Sequence, residues 1–232
     1  MSERREPGIP ASSERGPSGP AAQPPRAARL HRSLPRSFYR RDARELAPLV
    51  LNKLLVRTEP GEPRVAARIV EVEAYCGSED PASHAFRGMT KRNATMFGPS
   101  GRLYVYFTYG MHWCANVVAE ASGDASAVLL RAAAPVDGVE LMRTRRVKAR
   151  RDRELCAGPA RLCQAFGLTG AFDGTDLTRG QLRIVDDGVP PPRVPIVTTR
   201  VGLRAGEGDE SPWRFLVPGD PHISRGPRPA AG

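Results

Sequence analysis

The sequence predicts an α+β fold built around a mostly antiparallel sheet, in one domain behind an unstructured, basic N-terminal tail. Three observations carry this. β-rich runs come first, helical patterns intervene and β-rich runs return, an order that suits a sheet with its helices set apart from it. A chain of 232 residues fits one large domain plus a tail, at roughly 100–200 residues per domain. Gly and Pro, 23 of each, are abundant but stay below the quarter or more of the chain that marks wholesale disorder.

Residues 1–33 combine Pro, Gly, Ser, Ala and Arg with almost no large apolar side chain, so they cannot offset their ordering entropy and are predicted to be disordered. The domain is expected over 34–224, with a second short tail over 225–232. A helix is predicted over 42–55, opened by a capping-box-like Asp42 and Glu45, with Leu46, Leu49, Val50 and Leu54 at helical spacing and Pro48 bending it. Residues 64–75 read as a strand with Val65, Ala67, Ile69, Glu71, Glu73 and Tyr75 on one face. Residues 76–101, punctuated by Gly and Pro, read as a long loop, and loops of that length in a compact domain are usually functional or disordered. Three β-rich runs at 103–109, 114–120 and 126–132, separated at Gly110 and at the turn Ser122–Gly123–Asp124, predict a meander. A helix is expected over 136–148 and a second from Pro159, where Pro sits at the first helical position. Weaker strands follow near 182–185, 194–203 and 213–217.

Nine Arg against three Glu place +6 of the formal +10 charge in residues 1–41. Such a field favours polyanions, nucleic acid or acidic membrane, and equally suits the solvation of an unfolded tail. The basic cluster at 143–153 carries the same two readings, phosphate binding or a solvated helix face. No stretch approaches the roughly 20 apolar residues that span a bilayer, and the N-terminus has no apolar run behind its charges, so a soluble, unexported, cytoplasmic protein without a membrane partner is expected. Cys76, Cys114, Cys156 and Cys163 are too scattered for a disulfide framework or a zinc site and are read as reduced core residues. No phosphate loop, dinucleotide fingerprint, H-E-x-x-H, G-x-S-x-G or zinc-deaminase motif is present, which disfavours metal and nucleotide cofactors.

The informative residues are carboxylates and aromatics. Glu71 and Glu73 stand about 6.6 Å apart on one strand face, where desolvation demands a cation or a cleft. Spacing alone leaves a buried salt bridge and a catalytic carboxylate equally open. Tyr104, Tyr106, Phe107, Tyr109 and Trp113 fall within ten positions. Phe107 is assigned to the core, whereas Tyr109, just before Gly110, belongs at a hairpin tip where an aromatic is hard to bury. An exposed aromatic beside a basic surface can stack on bases or wedge into a duplex. Of the four histidines, His84 in the loop after Glu73 is the one placed to join a site.

RIVEVEAY (68–75), SHAFRG (83–88), GRLYVYFTYGMHWCANVV (101–118), VLLRAAAP (128–135) and DRELCAGPARLCQAFGL (152–168) resemble, in order, the alkyladenine (3-methyladenine) DNA glycosylase family, over roughly residues 35–224. The resemblance implies a single compact domain, a curved, mostly antiparallel sheet flanked by helices, that flips a damaged purine from double-stranded DNA and hydrolyses its N-glycosidic bond. It would act as a monomer without cofactor or metal, nucleoid-associated if bacterial. By position, Glu73 would deprotonate the water attacking C1′. Tyr75 would stack on the extruded base, with His84 and Tyr106 completing the pocket. Tyr104, Tyr109 and Met111 would meet the DNA, Tyr109 as the wedge and Met111 against neighbouring bases. Asn116 would sit by the base's minor-groove edge, and Arg131 in the pocket wall or at the flipped nucleotide's phosphate. No lysine stands in the matched segments, so the product would be an abasic site in an intact strand. The acidic run 206–211 would face away from the duplex. A competing reading is a non-catalytic nucleic-acid-binding module whose tyrosines stack on bases and whose Glu73 is structural.

Overall fold

The computed structural model describes residues 1, 32–121, 123–224 and 226. Residues 2–31, most of the predicted N-terminal tail, therefore lie outside the described residues, as do Ser122 and all of the predicted C-terminal tail but Gly226. In chain order the elements are β1 (Arg32–Ser33), α1 (Arg36–Tyr39), α2 (Ala43–Val50), β2 (Leu54–Arg57), β3 (Val65–Tyr75), β4 (Leu103–Thr108), β5 (His112–Val118) and β6 (Ala127–Asp137), then α3 (Val139–Arg145), α4 (Pro159–Phe166), β7 (Leu182–Asp186), β8 (Ile196–Thr198) and β9 (Arg214–Leu216). All strand pairs are antiparallel, in the order β1-β7-β2-β3-β6-β5-β4. One edge of β3 is shared, its first half pairing β2 and its second half β9, which curls the sheet.

The α+β class and the β4-β5-β6 meander are as the sequence predicts. Several boundaries differ for physical reasons. The helix expected over 42–55 stops at Val50, because Asn52 takes a left-handed φ of 64° and Leu54 and Leu55 enter β2. β6 continues through Pro135 to Asp137, where a helix was expected. β5 pairs β6 only over Ala127–Leu129, and past a single bridge from Ala132 to Ala157 no described strand pairs that edge of β6, so the missing proline N–H is tolerated there. Of the strand expected over 194–203 only Ile196–Thr198 forms. Arg32 and Ser33, given to the tail by composition, pair Asp186 and Val185. The helix from Pro159 matches its end signals. Gly158 precedes it, and Gly167 closes it in the left-handed region while Leu168 N–H reaches Cys163 O at 2.8 Å, a Schellman end.

The decisive irregularity is in β3. Its pairing with β6 shifts register between Ile69 and Glu71 and again between Glu71 and Val72. Such a bulge reverses the alternation of side chains. Ahead of it the odd-numbered Val65, Ala67 and Ile69 join the main core; beyond it the even-numbered Val72 and Ala74 do. Glu71, Glu73 and Tyr75 are thereby moved off the apolar face on which the unbroken alternation had placed them. That core, shared with Leu46 and Val50 of α2, Ala115 and Val117 of β5 and Leu162 and Phe166 of α4, occupies one side of the sheet and leaves the other for the polar groups. All four cysteines are free and buried. Among the described residues no helix is long and apolar enough to cross a membrane.

Candidate active site

Register places the site. Glu73 pairs Leu129, Leu129 pairs Asn116 and Asn116 pairs Tyr104, so these four form one row across β3, β6, β5 and β4. Tyr75, Arg131, Cys114 and Tyr106 lie one alternation away and face the same side. They surround a hollow of about 250 Å³ lined by Tyr75, His84, Tyr104, Tyr106, Asn116 and Arg131 among others. That is smaller than the roughly 300–1,000 Å³ of sites for drug-sized ligands, as suits a single flat ring. Tyr109 lines its mouth; Met111, two residues on, faces a neighbouring groove with Trp113, Arg145, Arg146 and Lys148.

The two carboxylates, equivalent by spacing, are chemically distinct. Both side chains are fully buried. Glu71 is saturated. Its Oε1 accepts from Arg131 Nε (2.7 Å), Arg214 Nε (2.8 Å) and Ser224 Oγ (2.8 Å), and its Oε2 from Ser224 N–H (2.6 Å). Glu73 is not. Its Oε1 takes the Val201 N–H at 2.7 Å and lies 3.2 Å from Arg131 Nη1, and its Oε2 takes the Tyr75 hydroxyl at 3.0 Å. A carboxylate offers about four acceptor positions, so one on Oε2 is unspent. Glu73 does face an arginine, but Arg131 is shared with Glu71; the Glu73 carboxylate is fully buried, one layer behind the lining of the hollow. Tyr75, Arg131 and Val201, which all touch Glu73, form its wall. Burial pushes the Glu73 carboxyl above the usual glutamate value of 4.5; Arg131, the Val201 N–H and the Tyr75 hydroxyl pull it back down, and Glu71 adds to the rise. Burial, then the Glu73 charge, hold the Tyr75 hydroxyl far above 10, so it remains a donor.

The opposite wall is aromatic. Tyr104 and Tyr106 stack with centroids 5.5 Å apart, and His84 meets Tyr106 edge-on at 4.4 Å while its Nδ1 lies 3.0 Å from the Tyr104 hydroxyl. Burial and then Arg92 push His84 below its ordinary value, which keeps the ring neutral at pH 7. Tyr104 is only 1% exposed and stands in the lining of the hollow rather than on an open surface, against His84 and Tyr106. Phe107 also departs from expectation. Assigned to the core, it is exposed on the far face of β4 against its cross-strand partner Trp113.

At the β4–β5 turn Met111 N–H reaches Thr108 O at 3.2 Å, with Tyr109 at φ 51° and Gly110 at φ 66°. Two consecutive left-handed residues make a type I′ turn, which glycine enters freely and a tyrosine only against strain. Tyr109 is 82% exposed and Met111 68%. In the basic cluster Arg143 pairs Asp152, Arg145 pairs Glu62 and Arg151 pairs Glu154, so much of that charge is compensated within the fold. Among the described residues no group of three or more His, Cys, Asp or Glu is placed to hold a metal ion.

Sequence reasoning missed Val201, Arg214, Ser224, Arg200 and Asp80. Val201 acts through its backbone, and the others come from distant loops and β9 with no local pattern to mark them.

Comparison with known proteins agrees with this geometry. The methylpurine-DNA glycosylase family profile matches residues 37–221. The chain is 52% identical over 193 residues to a protein of Burkholderia cenocepacia (strain HI2424) named "Putative 3-methyladenine DNA glycosylase", covering 82% of this chain and 90% of that one. Proteins of the same name from Streptomyces avermitilis and Methanocella arvoryzae are 48% and 45% identical, covering 82% and 83% of this chain and 90% and 96% of their own lengths.

Proposed function

The chain belongs to the methylpurine-DNA glycosylase family and is a DNA repair glycosylase, a hydrolase of N-glycosidic bonds acting on DNA, and from this we propose that Glu73 is its catalytic base for excising alkylated or deaminated purines. The observation that carries the proposal is the unspent acceptor position on Glu73 Oε2, directly behind the wall that Tyr75, Arg131 and Val201 give to a purine-sized aromatic hollow.

A water held there gives its proton to Glu73 while its oxygen bonds to C1′ of the flipped nucleotide. The C1′–N bond breaks and its electron pair leaves with the base. The abasic sugar keeps its strand intact, since no lysine lines the hollow to form a Schiff base. Tyr75 and Tyr106, with His84, offer ring faces to the base. A purine alkylated at N3 or N7 is cationic, so electron-rich rings favour it and its glycosidic bond is already weakened. Arg131, held by Glu71, fixes Glu73 Oε1. Asn116, whose amide donates to Tyr104 O at 3.3 Å, faces the hollow where it can reject a base carrying an extra amino group.

Flipping costs a few kcal/mol of unstacking, which Tyr109 offsets by entering the duplex. Its strained left-handed backbone supports that role, because such strain persists where function requires it. Met111 and the adjoining basic groove face the same duplex. The acidic turn 206–211 points away from it. The working unit is residues 34–224, a monomer acting on cytoplasmic DNA, with residues 1–33 adding only salt-sensitive affinity.

Glu73→Gln tests the assignment, because it keeps the shape of the side chain and removes the base. With duplex alkylated by dimethyl sulfate, release of methylpurines should be lost while lesion-duplex binding persists. Release at the parental rate would exclude Glu73 as the base.

A further inference from the structure

The Glu73 carboxylate has two donors at its sides, the Tyr75 hydroxyl and the Val201 N–H, and one buried group holds both. Arg200 directly precedes Val201. Its guanidinium lies between two rings, 4.7 Å from the centroid of Tyr75 and 4.8 Å from that of Trp213. Nη1 bonds Ala74 O at 3.0 Å, the carbonyl between Glu73 and Tyr75 on β3, and Nη2 bonds Gly208 O at 3.0 Å. Asp80 grips the same guanidinium with both oxygens, at 2.5 and 2.8 Å, and also accepts from Cys76 N–H and Ala82 N–H. Both side chains of this ion pair are fully buried. Gly208, at φ +76°, allows the close approach, since a Cβ there would stand 2.6 Å from Nη2.

Four of the five guanidinium N–H donors are thus spent, and only Nε lacks a partner among the described residues. The pair ties β3, the loop after it and segment 200–208 together at the point where all three meet the hollow. A lysine could not replace it, because a compact ammonium cannot fill the space between two rings and bond two oxygens of one carboxylate in a fixed plane.

We propose that Arg200, fixed by Asp80, is a positioning residue for excision, setting the Tyr75 ring and the Val201 N–H and through them the orientation of the Glu73 carboxylate. The inference rests on Glu73 being the base. Arg200 touches neither base nor water.

The test uses the full chain and dimethyl sulfate-treated duplex, comparing the parent, Arg200→Lys, Tyr75→Phe and the double variant in single-turnover release across pH. Misplacing a reacting group by about 1 Å can cost on the order of 10²-fold, and a loss approaching that is expected for Arg200→Lys at saturating enzyme. Its acid limb should move to higher pH, since Glu73 loses aligned donors, and the double variant should lose less than the product of the two single losses. An unchanged rate, or a loss that leaves the acid limb in place and multiplies with Tyr75→Phe, overturns the proposal and leaves Arg200 a purely structural residue. Should Arg200→Lys fail to fold, Asp80→Asn carries the same expectations, because it keeps the side-chain shape and releases the charge that pins the guanidinium. A Glu73→Gln variant as active as the parent would instead remove the premise; a dead Glu73→Gln beside an unaffected Arg200→Lys refutes this inference alone.

Discussion

Replacing Glu71 by Gln separates the two buried carboxylates by stability rather than by activity. Glu71 accepts four hydrogen bonds, two of them from guanidinium groups that are themselves buried, and Arg214 is only 2% exposed. The amide keeps the volume but removes the charge that compensates Arg131 and Arg214, and its NH₂ must meet a donor. Removing one partner of a buried ion pair costs about 3–5 kcal/mol. For a domain of this size each kcal/mol lowers Tm by about 2–4 °C, so a fall of about 6–20 °C is expected. Thermal and urea unfolding followed by circular dichroism measure it. Glu73→Gln should behave oppositely. Its folded-state pKa is raised, so the protonated form is the one the fold favours, and the stability this contributes is full below the unfolded-state value and lost as pH rises through the folded-state value. The neutral amide should therefore unfold at or above the parental temperature at pH 8, with its advantage shrinking as pH falls towards 4.5. A Glu71→Gln change within 1 kcal/mol of the parent, or a Glu73→Gln loss as large as that of Glu71→Gln, would refute the division of labour drawn from their hydrogen bonds.

Two further outcomes follow from the geometry. Because burial raises the Glu73 carboxyl, the acid limb of excision should lie above pH 4.5 and disappear in whatever residual activity Glu73→Gln retains; single-turnover rates on a 7-methylguanine duplex between pH 4.5 and 8 would expose a limb at or below 4.5, contrary to this account. Tyr109→Ala should weaken binding to lesion duplex more than to single-stranded DNA, since only the duplex needs a gap filled; equal losses by fluorescence anisotropy would remove the wedge role.

The sequence by itself determined the fold class, the meander whose first turn carries Tyr109 and Gly110, the helix between Gly158 and Gly167, and the segments that carry the family resemblance. Each depends on contacts within a few residues, on turn chemistry, or on runs long enough to be specific. Tertiary structure decided which carboxylate is structural and which is available. Glu71 and Glu73 are two residues apart and identical in kind; they differ because Arg214 and Ser224 arrive from more than 140 positions away to saturate one, while Val201 and Tyr75 leave the other an open lone pair. The β3 bulge is similarly hidden. It is a property of how β3 pairs with β6, so the alternation in the sequence continued through it and placed the carboxylates on the apolar face. The same holds for Tyr104 and Tyr106, alike in a strand pattern and both in the lining of the hollow, of which the first is buried against His84 and the second is the more exposed. Local physics sets which elements form, and the partner that reaches each polar atom, fixed only when distant segments meet, sets what that atom can do.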